Sequence, residues 1–403
     1  MADFGADDTE AFRAEAKAWL AETFPKALAK DPMAQLARMS GGQESPEALA
    51  WRKAMGAKGW GVPTWPKEWG GGGLSRAEAR VLAEEMAAIG ARNPIGGMGV
   101  MMFGPTLLEY GAEALKRQHM PGIVSGDVRW CQGYSEPGAG SDLASLQTRA
   151  EDKGDHYLVG GSKIWTSGAN LADWCFCLVR TDTSKKHEGI SFLLIDMKSP
   201  GVEVRPIRLI NGTSPFCETF FTDVIVPKDQ LFGPLNGGWT VAKRLLQFER
   251  DNISAGLGGG SIGAPANMLT VEQAAKSYVG LDETGRLADR DLRKRLIDHM
   301  MENKAFQLTV RRAADEARSG NGPSAATSIM KYAGAKIAQD RNELLVEALG
   351  HNGLGWEGDG FEAPELAATR TWLRSKGNSI EGGTSEINLN VVSKRVLGLP
   401  DPK

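Results

Sequence analysis

The chain has 403 residues, 41% of them hydrophobic and 24% charged, which places it among soluble globular proteins with room for roughly two or three domains. A net charge of −3 excludes an overall pull toward nucleic acid or an anionic membrane, though not a local basic pocket. No apolar run approaches the roughly 20 residues of a membrane span. The N-terminus carries Asp3, Asp7, Asp8 and Glu10 rather than a basic-then-apolar signal, so a cytoplasmic protein is expected.

Residues 8–130 read mainly as helices. Phe12, Ala16, Trp19 and Leu20 form the i, i+4, i+7, i+8 stripe of an amphipathic helix. Gly59 to Pro66 holds too much Gly and Pro for a helix interior and predicts a loop that buries its tryptophans. Ser75 with Glu78 three residues on predicts a capped helix start, followed by a long Ala/Leu/Met helix.

From Arg129 to about Phe232 the period changes. Tyr157–Val159, Trp174–Val179, Ile190–Ile195, Val202–Ile207 and Phe220–Val226 are short runs rich in β-branched and aromatic residues, separated by turn residues such as Gly154-Asp155 and Ser199-Pro200-Gly201. Several strands without intervening helices predict a small antiparallel sheet or barrel rather than a doubly wound domain. After Gly237-Gly238 the helical period returns and continues to Val396. The fold class is therefore α+β, with a helical domain at 1–128, a β-domain at 129–233 and a helical domain at 234–403.

Cys131, Cys175, Cys177 and Cys217 fit a reduced compartment. Cys175 and Cys177 share one face of a strand, and no further ligands stand at metal spacing, so they are expected in the core and no metal is expected. Gly258-x-Gly260-x-x-Gly263 matches a dinucleotide fingerprint literally. It follows the helix-like Ala242 to Gln247 instead of a strand, so a helix packed closely on a neighbour through small residues is the better reading.

Two segments carry the chemistry. Trp130 to Asp142 reads Trp-Cys-Gln-Gly-Tyr-Ser-Glu-Pro-Gly-Ala-Gly-Ser-Asp, an apolar strand-like run that breaks into a loop of small residues. Such a loop offers closely spaced backbone N–H groups and little side-chain bulk, which suits pyrophosphate or a flat polar ring. Lys163-Ile164-Trp165-Thr166-Ser167 sets a large aromatic beside two hydroxyls, a wall for a planar cofactor. Together they resemble the flavin-binding middle domain of the acyl-CoA dehydrogenase family, and the resemblance runs from about Glu10 to Pro400. It implies the same three-part fold of helix, sheet and helix, with FAD as cofactor. It also implies an acyl-CoA substrate, an electron-transfer flavoprotein as partner, and a homo-oligomer (dimer or tetramer), a heteromer remaining open.

The resemblance places flavin contacts at Gln132, Tyr134, Ser135 and Ser141, then at Trp165 and Ser167. Backbone groups around Tyr134 and Ser135 suit the flavin's polar edge, and Trp165 suits the ring face. Near the C-terminus, Gly382-Gly383-Thr384-Ser385-Glu386-Ile387 resembles the loop that closes over the flavin, with Thr384 and Glu386 as contacts. Leu349-Gly350-His351-Asn352-Gly353 resembles the segment that reaches a neighbouring subunit's FAD, here through Gly350. The chain departs from the family in two places. Lys276-Ser277-Tyr278-Val279-Gly280, followed by the charged run Asp289 to Arg295, stands in place of an Arg-x-x-Phe-Gly element, and Glu347 stands where a neutral amide is common.

Dehydrogenation of an acyl-CoA needs a base within reach of the α-proton, desolvated enough to raise its pKa. The family uses a glutamate in one of two places. Glu249 occupies the position on the central helix, with Leu245, Leu246 and Ile253 as helical neighbours. Its plainer alternative is a buried ion pair with Arg244 or Arg250. Glu381 lies one residue out of register with the late-loop position, which falls on Gly382. The resemblance makes Ser141, Arg250 and Gly382 substrate contacts, the last through its backbone N–H on the thioester oxygen. Small residues at 256–263, together with Ser214 to Phe220, suggest room for a bulky or branched acyl group. Alternatives on the same scaffold are an acyl-CoA oxidase, a flavin monooxygenase, and an FAD-poor partner subunit of a heteromeric enzyme.

Overall fold

The computed structural model describes residues 9–254, 269–318 and 325–400, with backbone alone at 249–254 and 317–318. It divides into two compact units, Met1–Ile207 with Pro215–Asn252, and Arg208–Ser214 with Ile253–Lys403.

The first unit opens with α1 (Glu10–Thr23), α2 (Pro32–Gln35), α3 (Pro46–Lys58), α4 (Arg76–Ala88), α5 (Gly104–Tyr110) and α6 (Glu113–Val124). The stripe read on α1 is its inner face. Phe12, Ala16 and Leu20 are buried among Trp51, Met55 and Trp60. Trp19 sits edge-on to Trp60 at 4.8 Å, the arrangement ring quadrupoles favour. The predicted cap on α4 is a full capping box: Glu78 N–H donates to Ser75 Oγ at 3.2 Å, and Ser75 N–H donates to Glu78 Oε2 at 2.7 Å.

The sheet has seven strands, β1 (Trp130–Gly133), β2 (Arg149–Asp152), β3 (His156–Ser167), β4 (Trp174–Arg180), β5 (Ile190–Asp196), β6 (Val202–Ile207) and β7 (Phe216–Pro227). Their order is β1-β4-β2-β3-β7-β6, with β5 on β4. Most pairs are antiparallel as expected, but β1 and β4 run parallel from Trp130↔Trp174 to Gly133↔Cys177. The chain makes β2 and β3 before it returns beside β1, and that long connection is what a parallel neighbour requires.

β4 and β5 are apolar on both faces because both faces are covered. Phe176, Leu178, Phe192 and Leu194 join Phe103 and Phe232 on one side. Cys131, Cys175, Cys177, Val179, Leu193 and Cys217 lie in the other cluster, and all four cysteines are free and buried. After the sheet, α7 (Gly238–Ser254) presses onto β5. A Cβ at Gly238 would lie 2.5 Å from the Ser191 carbonyl carbon, and Val241, Ala242 and Leu245 enter the Phe103–Phe192 core.

The second unit contains α8 (Val271–Ala274), α9 (Arg290–Arg318), α10 (Thr327–Leu349), α11 (Ala363–Ser375) and α12 (Ser385–Val391). Its core gathers Val271, Ala274, Leu292, Leu344, Leu345, Ala348 and Ala368. The motif at Gly258, Gly260 and Gly263, and the run 256–263 read as acyl-pocket space, lie outside the described residues. Among the described residues, no helix is long and apolar enough to cross a membrane.

Candidate active site

The two sequence segments meet in the first unit. Ile164 N–H donates to the Ser135 carbonyl at 2.8 Å, which brings the end of β1 against the middle of β3. Lys163, fully buried in β3, donates from Nζ to the Tyr134 carbonyl at 3.1 Å and to Glu136 Oε1 at 2.8 Å. Glu136 also accepts from Gln147 N–H at 2.6 Å and Thr148 N–H at 2.9 Å. Burial raises the Glu136 carboxyl pKa, but the Lys163 charge and the hydrogen bonds outweigh it, so the net direction is downward. Glu136 was not among the residues singled out from the sequence, and Lys163 was quoted there without a role. The available signal was a lone lysine in a strand without other Lys, Arg, Asp or Glu, and an acid inside a loop of small residues.

Gln132, Tyr134, Ser135, Trp165 and Ser167 are brought together here. Gln132 points a buried Nε2 that finds no hydrogen-bond partner among the described residues, a donor left for a bound group. The Tyr134 ring is buried edge-on to Phe176 at 6.1 Å and Phe192 at 6.2 Å, so its side chain packs the core and its backbone lines the loop. Trp165 stands at a break in the β3–β7 ladder between Lys163 and Thr166, with φ 60. A left-handed tryptophan is a strained position, and bulges of this kind re-aim side chains. The residue is 52% exposed, with Phe216 edge-on to its ring at 6.1 Å. Ser167 is half-buried at the end of β3, and Ser141 is exposed at the loop tip. A Cβ at Gly138 or Gly140 would meet nothing within 4 Å, so the tip is open for a ligand. An orphaned amide donor, an exposed aromatic plate and an open small-residue tip fit a flat cofactor with a polar edge.

Glu249 and Arg250 belong to α7, but their side chains lie outside the described residues. One neighbour is settled: Arg244 Nε reaches both oxygens of Glu109 on α5, at 2.8 and 3.2 Å, and its guanidinium lies over Phe248.

In the second unit the late loop is clasped by helices. Glu381 pairs with Arg374 of α11 at 2.6 Å and is exposed, which commits the alternative base to an ion pair. Gly382 has φ 63 and Gly383 has φ 94, conformations that favour glycine. Thr384 caps α12, its hydroxyl oxygen accepting from Ile387 N–H at 3.2 Å, and Glu386 is exposed in the first turn. Gly350 closes α10 with φ 56. The two family departures meet one another, because Glu347 is ion-paired with Arg295 of the charged run. Tyr278 donates to buried Glu365 at 2.6 Å, and Asn352 donates to the same oxygen at 2.6 Å, which ties the 276–280 segment to the one that follows α10.

Helices before and after a mostly antiparallel sheet, with the small-residue loop and tryptophan on that sheet, match the three-part layout that the resemblance implies for a flavin-dependent acyl-CoA oxidoreductase. Family models for the N-terminal, middle and C-terminal domains of acyl-CoA dehydrogenase match residues 6–127, 131–224 and 236–397, and the chain belongs to the acyl-CoA dehydrogenase family. It is 34% identical to acyl-CoA dehydrogenase IpdE1 of Mycobacterium tuberculosis over 98% of both chains. Among solved structures it is similar to the Tcur3481-Tcur3483 steroid ACAD (30% identity, TM-score 0.73, 98% of each chain). It is also similar to the ChsE4-ChsE5 complex from Mycobacterium tuberculosis (28% identity, TM-score 0.70, 98% of each chain). The chain is thus an acyl-CoA dehydrogenase with FAD as its cofactor, and the first-unit residues fit that group.

Proposed function

We propose that this enzyme converts a bulky, ring-bearing acyl-CoA to its trans-2-enoyl-CoA and passes the electrons to an electron-transfer flavoprotein. The observation that carries the reading is the joining of the Gln132–Ser141 loop to the Trp165 strand through the Ser135–Ile164 bond at 2.8 Å. A steroid-processing relative among the similar structures supports the ring-bearing substrate. The Gln132 amide, the Ser135 and Ser141 hydroxyls and the Tyr134–Ser135 backbone would hold the polar parts of FAD, Trp165 its ring, and Thr384 and Glu386 the loop contacts. FAD, when bound, supplies the two-electron acceptor for the β-hydride.

The chain's own residues supply the rest. The α-proton passes to the Glu249 carboxylate as the α,β double bond forms and the β-hydride leaves. The Gly382 N–H holds the thioester oxygen as negative charge develops on it, and Arg250 holds the CoA portion. The ion pair of Glu381 with Arg374 and the engagement of Arg244 by Glu109 support Glu249 over Glu381 as the base.

Exchange of Glu249→Gln keeps size and polarity while removing the base. The variant is expected to bind FAD and acyl-CoA yet reduce the flavin slower by roughly 10²–10⁴-fold in anaerobic stopped flow. Near-normal reduction would move the base elsewhere. A second reading, an FAD-poor partner in a mixed assembly, is favoured by the segment Lys276–Gly280 in place of Arg-x-x-Phe-Gly. Glu347 counts less toward it, because its charge is matched by Arg295.

A further inference from the structure

Glu136 is 8% exposed and Lys163 is 0% exposed, and neither carries a role in the reaction described so far. A buried ion pair adds little net stability over an apolar pair of the same size, because desolvating both charges offsets their attraction. Its contribution here is geometric. Glu136 stands at one end of the loop and Gln147–Thr148 at the other, and one carboxylate gathers both ends. Oε2 accepts from Gln147 N–H at 2.6 Å, while Oε1 accepts from Thr148 N–H at 2.9 Å and Lys163 Nζ at 2.8 Å.

Only a carboxylate accepts at both oxygens; an amide would set an NH2 against a backbone N–H. The Glu136 backbone also exchanges bonds with Ala139 at 3.0 and 3.1 Å, which folds the loop back on itself. Arg180 takes the Ala144 carbonyl at 2.6 Å and the Leu146 carbonyl at 3.2 Å from below. The base of the loop is therefore fixed while Gly138, Gly140 and Ser141 stay exposed at its tip, with Ala139 buried beneath them. Lys163 matches the charge, and its bond to the Tyr134 carbonyl aligns the strand end beside Gln132 and Ser135.

We propose that Glu136, charge-matched by Lys163, is a positioning residue of the cofactor site, closing the 137–147 loop so that its tip is presented to FAD; this presupposes that the site takes FAD.

The test compares wild type, Glu136→Gln and the doubly apolar Glu136→Leu/Lys163→Met, each stripped of cofactor and titrated with FAD. Thermal midpoint and amide hydrogen exchange over 137–147 are read alongside. Glu136→Gln is expected to bind FAD weaker by roughly tenfold or more. The double variant has no unmatched buried charge, so its thermal midpoint is expected above that of Glu136→Gln, though below wild type because the Gln147 and Thr148 N–H groups lose their acceptor. It should nonetheless keep the FAD defect and the faster exchange in the loop, with β4 still protected. A double variant that binds FAD and protects the loop like wild type would overturn the proposal, leaving the pair as core packing. Failure of wild type to take FAD would sink the cofactor reading instead, and loop exchange alone would then decide the role of Glu136.

Discussion

At Glu136, burial pushes the carboxyl pKa up, and Lys163 pushes it down by charge and by hydrogen bond, with the downward set winning. A depressed folded-state pKa contributes stability that is present above the unfolded value, near 4.3 for a glutamate, and is lost as pH falls through the folded value. Arg180 and Cys177 are the other titratable groups that feel this charge; Cys177 is held neutral by burial, and Arg180 stays cationic across the range. Acid release of FAD, followed by the rise in flavin fluorescence, is therefore expected below the ordinary carboxylate range in wild type. In Lys163→Met the downward set loses its two Lys163 contributions, and release is expected at higher pH. An unchanged midpoint would show that Lys163 does not hold the carboxylate down. Gln132, Ser135 and Trp165 were legible as a set because a loop of small residues and a tryptophan beside hydroxyls are local patterns. The Glu136–Lys163 pair was not, since it joins residues 27 positions apart and depends on which strands become neighbours.

Among the elements, β1 shows how tightly packing constrains the cofactor loop. A Cβ at Gly133 would lie 2.8 Å from Cys175 Sγ and 3.0 Å from Cys177 Sγ, both fully buried in β4. Gly133→Ala must displace β1, so a loss of about 1–3 kcal/mol in denaturant unfolding is expected, with weaker FAD retention. A variant as stable as wild type would mean that the β1–β4 interface yields easily. The runs that became β4 and β5 were plain in the sequence, because covering on both faces demands continuous apolar residues. β2 was missed because its four residues, Arg-Ala-Glu-Asp, bury only Ala150. The full length of β3 was missed as well. Gly160-Gly161 interrupts its alternation, and the bulge at Trp165 breaks the period of two. The helix ends were better signposted, since capping chemistry at Ser75 and Glu78 is local.

For the molecule as a whole, the helix, sheet, helix order was readable from the change of period. What was not readable is which core each helix joins. α7 follows the sheet in sequence and is helical, yet Val241, Ala242 and Leu245 are buried with Phe176 and Phe192, so the helix that carries Glu249 belongs to the sheet's unit. That allegiance is set by close approach at Gly238, which a periodicity argument does not see. The Glu347–Arg295 pair is likewise invisible in either segment alone: each departs from the family pattern, and only in three dimensions do the two charges cancel.

This chain is expected to bind FAD and to reduce it with a ring-bearing acyl-CoA. The most direct test is the visible spectrum of the purified chain, before and after anaerobic addition of linear, branched and polycyclic acyl-CoAs. The expected result is a flavin band that bleaches, faster with ring-bearing thioesters than with short linear ones. A chain that shows no flavin band even after FAD is added, or one whose band no thioester bleaches, would contradict it.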